Sequence, residues 1–267
     1  MAKKRVVFCL TGLLARSFTR TWPSISRFVS DLRDSGRFEV DIAVFANNPE
    51  DALVDGVRVS HAQASVLLRK DEGKRVVIVR EWTQEKLDAI AAAVPALSLH
   101  WLLCHGDPRA PCVASCKKNM RRHMILEGHC GVFLRRSSYD LAISMSPDIE
   151  IACEDEIVDK LYRIVGTSNL LTPLRAAGPY ITNGFCAGRP DIVAKFLTRD
   201  WVFDPGAVKE CVEIFAKLRI AVPNAYINWE AMCWYTLRRN KVGMQPVKVQ
   251  LVKVRANGDG KRAWDGR

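Results

Sequence analysis

The chain has 267 residues, enough for one sizeable hydrophobic core or for two small domains packed together. Its residues are 48% hydrophobic and 26% charged, ordinary for a soluble globular protein, and no stretch approaches the roughly 20 consecutive apolar residues that a transmembrane helix needs. The formal charge of +11 favours anionic partners without saying which kind, and it is spread along the chain instead of being gathered in a basic run interleaved with aromatics.

The opening, "MAKKRVVFCLTGLLARSF", has the basic start and apolar run of a signal peptide. Arg16 follows too closely and no small-residue cleavage site is present, so the run is read as the first core strand. That strand, 5–11, ends at Thr11-Gly12. Residues 17–32 predict a helix with Phe18, Trp22, Ile25, Phe28, Val29 and Leu32 on one face, and with Pro23 in a first turn that tolerates it. A second strand is expected in "EVDIAVFANN", ended by Asn47, Asn48 and Pro49. "GVRVSHA" and "KRVVIVREW" are further strand candidates, and 83–94 predicts a helix capped by Thr83. After an irregular stretch, 115–136 reads as a heavily basic helix.

A strand at 139–145 follows, then a helix at 154–165. "AAGPYITNGFCAGRPDIVAKFL" reads as strand, glycine-marked turn and helix. Helices at 205–219 and 229–240 precede a late strand in "QPVKVQLVKVRA". With no repeat and no long linker, 1–255 is expected to be one domain and 256–267 a disordered tail. Early alternation of strands and helices predicts an α/β fold, its sheet mostly parallel in the first half. In open sheets of this kind ligands bind beyond the carboxyl ends of the strands. Three candidate places lie there: Thr11-Gly12, Asn47-Asn48 and Asp148-x-Glu150.

In an extended segment residues i and i+2 point to one side, so Asp148 and Glu150 can face a single divalent cation, Mg2+ or Mn2+. Two unpaired acids at the end of a buried strand are costly unless a cation is present for part of the cycle. The competing reading is a solvated acidic turn continued by Glu154, Asp155 and Glu156.

Several segments, in order over residues 5–255, resemble a group of small glycosyltransferases found in large DNA viruses, some algae and bacteria. "VVFCLTGLLARSFTRTWPSI" is similar to their opening, a strand ending in glycine followed by an arginine and a helix. "KKNMRRHMIL" resembles their polar, basic helix. "YDLAISMSPDIEI" resembles their strand ending in Arg-x-Asp or Asp-x-Asp. "YITNGFCAGRPDIVAKF" and "NWEAMCWYTLRRNKV" resemble two later segments, the second a helix opening with glutamate. The resemblance implies a GT-A-like (Rossmann-like) sheet flanked by helices. It implies transfer of a sugar from a nucleoside-diphosphate-sugar donor to a hydroxyl of a glycan or glycoprotein acceptor, in the cytoplasm (the host's, for a viral chain). It places Asp148 and Glu150 where the family holds metal and donor. Ser146-Pro147 stands where the family has arginine, and Glu150 where it has aspartate, which puts metal dependence in doubt.

On this reading the donor side comprises Thr11, Gly12, Arg16, Asn47, Asn119 and Arg122, with Arg121 adding charge. Arg16 follows the glycine turn and opens a helix whose N-terminus favours anions; as a plain surface arginine it would do neither. Asn183, Gly188 and Trp229 fall on the acceptor side. Glu230 is the candidate base of an inverting transfer, unless it is only a first-turn helix acid, and Asp191 reads as a cap-region acid.

The nine cysteines are an odd count in apolar contexts and fit reduced cytosolic thiols better than a disulfide framework. His100, Cys104, His105, Cys112, Cys116, His123, His129 and Cys130 are dense, but their spacing does not suit a zinc site, and buried thiols with surface histidines are expected. A nucleic-acid-binding protein is the competing class, motivated by the basic helix, but no RNP-like, zinc-finger or helix-turn-helix pattern accompanies the charge. A GT-A-fold protein that has lost catalysis is the third reading.

Overall fold

The computed structural model describes residues 2–49, 52–54, 56–59, 61–71, 76–92, 113–153, 156–173, 184–217, 229–258 and 260–264. β1 (Lys4–Leu13) is apolar at every position from Val6 to Leu10 because it is covered on both faces. Val6, Phe8 and Leu10 point into a core shared with α1 (Phe18–Asp34), while Val7 and Cys9 point into a second core on the opposite face. β2 (Phe38–Asn47), β5 (Val76–Trp82) and β6 (Leu141–Met145) run parallel beside it. Five more strands complete the picture around this centre: β3 (Ala52–Val54), β4 (Val57–Val59), β8 (Asn169–Thr172), β9 (Phe185–Gly188) and β10 (Gly243–Pro246). The main sheet has seven strands in the order β10-β8-β9-β6-β1-β2-β5, with only β9 reversed, and β3 and β4 form a separate hairpin.

The expected α/β fold with a mostly parallel sheet is present. The three strands placed at its centre, from the first, second and sixth segments, are neighbours with their carboxyl ends on one edge. Four expectations are corrected. "GVRVSHA" supplies only β4, because the chain turns into helix α2 (His61–Asp71) from His61 on. Helix α1 starts at Phe18, so Pro23 lies in its second turn, where it removes a hydrogen bond to the carbonyl of solvent-exposed Thr19. Residues after Asp148 are not an acidic turn but strand β7 (Ile149–Cys153). The tail does not lack structure: β12 (Gly260–Trp264) pairs with β11 (Val249–Val254), which pairs in turn with β7 in a second, antiparallel sheet.

Helices α3 (Gln84–Ala92), α4 (Val113–Arg135), α6 (Pro190–Thr198), α7 (Pro205–Lys217) and α8 (Trp229–Arg239) are expected elements with shifted ends. The cap expected at Thr83 is formed, its hydroxyl accepting from the Lys86 N–H. α5 (Ile157–Ile164) lies within the span read as helix and is shorter than it. No helix among the described residues is long and apolar enough to cross a membrane.

Behind the sheet, α4, α6 and α8 meet around a buried ion pair. Glu127 of α4 and Arg199, the residue after α6, are each 1% exposed and hydrogen-bonded to one another, and Arg199 also donates to Cys233 Sγ on α8 at 3.2 Å. Arg199 holds a left-handed backbone (φ 39°), which costs roughly 1–2 kcal/mol for a residue with a Cβ. Burial pushes the Glu127 carboxyl up, but the charges of Arg199 and His123 outweigh that and hold it below the usual carboxylate range. Removing one member of such a pair strands the other charge. Glu127→Gln should therefore lower the unfolding free energy by about 3–5 kcal/mol in denaturant titration, whereas Glu127→Leu combined with Arg199→Met should cost markedly less.

Candidate functional site

The site is built where β1 and β6 end. Gly12 has φ +142°, and a Cβ placed on it would lie 3.1 Å from Pro147 Cδ and 3.5 Å from ring atoms of His123. A glycine is therefore required both by the backbone angle and by the close approach of the turn after β6. The chain then makes one 3-10 turn, Leu14–Arg16, which brings Arg16 over that turn. α1 fixes the turn from the other side: Thr21 Oγ1 donates to the Pro147 carbonyl at 2.6 Å, and Ser24 Oγ accepts from the Ile151 N–H. The Ser146 N–H donates to the Gly184 carbonyl.

Asp148 occupies the corner where the chain leaves the main sheet for the second one. Its side chain is only 7% exposed, and its charge is fully engaged. Ser146 Oγ donates to Oδ1 at 2.6 Å, Arg16 Nη1 donates to Oδ2 at 3.0 Å, and Lys253 Nζ lies 3.5 Å from Oδ2. Its own carbonyl accepts from the Val254 N–H at 2.9 Å, which locks β11 and hence Lys253 against the corner. Burial pushes the Asp148 carboxyl up, but Lys253, the Ser146 hydrogen bond and Arg16 together hold it below the usual range. The expectation of unpaired acids at this strand end is corrected: Asp148 is paired twice.

Glu150 is half-buried on β7, opposite Val252, with Ile149 and Ile151 beside it turned into the core. Thr11 and Asn47 are buried at the same edge of the sheet, Asn47 as the last residue of β2. Asn47 Oδ1 and Ser17 Oγ are buried polar atoms with no hydrogen-bond partner among the described residues. Such unpartnered atoms near strand ends suit a polar ligand. Beside them Glu81 accepts from Asn48 Nδ2 at 3.1 Å and lies 2.6 Å from His61 Nε2.

Other expected site residues fall elsewhere. Arg122 is held by Asp88 through two hydrogen bonds, 2.8 and 2.6 Å, which tie α4 to α3, and Asn119 lies exposed one turn before it, 3.4 Å from its guanidinium. Gly188 pairs with Ala142 near the amino end of β6, the edge of the sheet away from Asp148, so its placement on the acceptor side is corrected; its missing Cβ makes room for the Asn169 carbonyl. Asn183 lies outside the described residues, and for Trp229 and Glu230 only the backbone, at the start of α8, is described. Asp191 accepts two hydrogen bonds from Arg189 at the start of α6.

Of the histidine- and cysteine-rich stretch, His100, Cys104, His105 and Cys112 lie outside the described residues. His123 and His129 are half-buried helix residues instead of surface ones: His123 Nε2 lies 3.4 Å from Glu127 Oε1, and His129 stacks on Trp82. Sequence reasoning missed Ser146 as a partner of Asp148, and it missed Lys253. For Lys253 no local signal exists, because its place follows from strand pairing across more than a hundred residues.

No protein-family model matches the chain, and no curated protein sequence matches it either. Among solved structures, mouse xyloside xylosyltransferase 1 in its apo form superposes with a TM-score of 0.50 at 8% identity, over 92% of this chain and 86% of that one. The fold is that of a GT-A glycosyltransferase. The galactosyltransferase LgtC, in complex with donor and acceptor sugar analogues, matches with a TM-score of 0.42 at 11% identity over 90% of this chain and 72% of its own. A putative glucose-1-phosphate thymidylyltransferase from Bacillus anthracis, in complex with sucrose, gives 0.40 at 10% identity over 94% and 89%.

A divalent metal at Asp148 does not fit the residues present. Both carboxylate oxygens already have partners, and two of those partners are cations. Mg2+ or Mn2+ there would add two positive charges beside Arg16 and Lys253, with Glu150 as the one further acid nearby on β7. Among the described residues, no cluster of three or more His, Cys, Asp or Glu side chains is arranged to hold a metal ion.

Because its folded pKa is depressed, Asp148 contributes stability that is full above its unfolded value, near 3.9, and is lost as pH falls through the lower folded value. Asp148→Asn should cost about 1.5–3 kcal/mol at neutral pH, the range for hydrogen bonds to a charged group. Denaturant curves of the two proteins should converge as the pH falls through the depressed folded value of Asp148.

Proposed function

We propose that the protein is a glycosyltransferase that moves a sugar from a nucleoside-diphosphate-sugar donor to a hydroxyl of a glycan or glycoprotein. The observation that carries this reading is the convergence, at the carboxyl edge of a GT-A sheet, of Gly12, Arg16 and the Asp148 corner. In the reaction the acceptor oxygen forms a bond to the anomeric carbon. The bond from that carbon to the β-phosphate oxygen breaks, and its electron pair leaves with the nucleoside diphosphate. The acceptor proton passes to a base, for which Glu230 in the first turn of α8 is the proposed group.

The step is limited by charge appearing on the departing diphosphate, and a cation placed in advance at that position stabilises it. Arg16 is suited to this: its guanidinium is half-buried, planar and held by Asp148, so little ordering remains to be done on binding. Asn47 and Ser17 are the buried polar groups proposed to meet the rest of the donor. The chain's surplus of positive charge favours capture of such an anionic substrate.

The test is a panel of nucleotide sugars screened for thermal stabilisation and for release of nucleoside diphosphate in the presence of mixed glycan acceptors. One donor should raise the melting temperature and be consumed, and Arg16→Met should slow that turnover about 100-fold, as loss of a single preorganised charge-stabilising donor does elsewhere. Absence of any effect across the panel, together with tight, steeply salt-dependent binding to nucleic acid, would replace this reading with the nucleic-acid one.

A further inference from the structure

We infer that Arg16 and Lys253, steered by Asp148, stand in for the divalent metal, so that this site binds a nucleoside diphosphate and releases it without any metal ion. The inference rests on the glycosyltransferase reading and goes beyond it by assigning Lys253 as a diphosphate-binding residue and Asp148 as a positioning residue.

The exposures give the arrangement its direction. The side chain of Asp148 is 7% exposed, that of Arg16 22% and that of Lys253 42%. The carboxylate is the most enclosed of the three, and both cations retain exposed surface. A buried carboxylate of this kind cannot reach a donor's metal without giving up its present partners. It can instead hold two cationic heads in register, which lowers the ordering cost when an anion arrives. The two cations already beside this carboxylate disfavour a further dication there.

Three other features agree with an anion as occupant. Ser17, next to Arg16, has a hydroxyl that is buried and without a partner among the described residues, and it can donate to a phosphate oxygen. α1 begins at the adjoining residue and is 17 residues long, so the positive end of its dipole faces the same corner. Ser146 Oγ donates to Asp148 Oδ1, the oxygen that the cations leave, so each carboxylate oxygen already has a partner. The Lys253 ammonium comes from β11, which is fastened to the corner through the Asp148 carbonyl and through pairing with β7, so its approach is fixed by backbone.

The test measures binding of UDP, GDP, CDP and ADP, each by titration calorimetry, to the full chain in excess EDTA and in saturating Mn2+. At least one diphosphate should bind with affinities that agree within about twofold in the two conditions. Lys253→Met should weaken that binding about tenfold or more, and Lys253→Arg, which keeps the charge, should restore most of it. Circular dichroism melting curves check that all variants are folded, and the rescue by arginine separates a charge role from a packing one. Binding that appears only with Mn2+, or that Lys253→Met leaves unchanged, overturns this inference while leaving the glycosyltransferase reading intact. Failure of all four diphosphates to bind the wild-type protein in either condition overturns both.

Discussion

The architecture of this protein turns on a single carboxylate. Asp148 sits where the chain leaves one sheet and enters another, and it binds a residue 132 positions before it and another from the last strand pair. Withdrawing a charge from water costs several kcal/mol, so a carboxylate this enclosed persists only with its compensating partners in place. Here they are Arg16, Lys253 and Ser146, and each brings a different element: the turn after β1, the β11 strand and the end of β6. The same contact that makes the corner stable therefore lines up the cleft.

This geometry answers why a wholly buried strand, β6, should end by presenting acid. The acid is enclosed, and it pairs with two cations that are each more exposed than it is. On the reading proposed above, such a pair of cations complements a diphosphate, whereas a free pair of acids would complement a metal. The GT-A sheet supplies the position of the site, and the side chains in it determine its chemistry. The second buried ion pair is Glu127 with Arg199, and its neighbour His123 lies 3.5 Å from where a Cβ on Gly12 would stand.

Much of this was legible in the residues. β1, β2 and β6 are covered on both faces, so their apolar runs stand out, and α1 carries its apolar stripe at helical spacing. Gly12 and Asp148 follow those runs directly, which is why the strand-end rule located them. β7 was hidden because Ile149 and Ile151 alternate with Glu150 in a stretch whose carboxylates suggest a turn, and only pairing with β11 makes it a strand. α2 was hidden for the opposite reason, its first residues completing an alternating pattern begun in β4. Gly188 looked like a site glycine, but β9 runs against β6 and carries it to the far edge. Lys253 could not be read at all: a lysine in an alternating strand is ordinary, and its importance comes from register with a strand a hundred residues earlier. Local pattern thus identified the strand ends, while pairing between distant segments decided which charges meet there.

The most direct measurement is a crystal structure of the protein grown with a nucleoside diphosphate and Mn2+, with anomalous scattering recorded at the manganese edge. The account predicts phosphate oxygens within roughly 3 Å of the Arg16 guanidinium and the Lys253 ammonium, with Asp148 still paired to both and no anomalous peak beside it. A manganese peak at roughly 2 Å from an Asp148 oxygen, with Arg16 or Lys253 swung away, would contradict it.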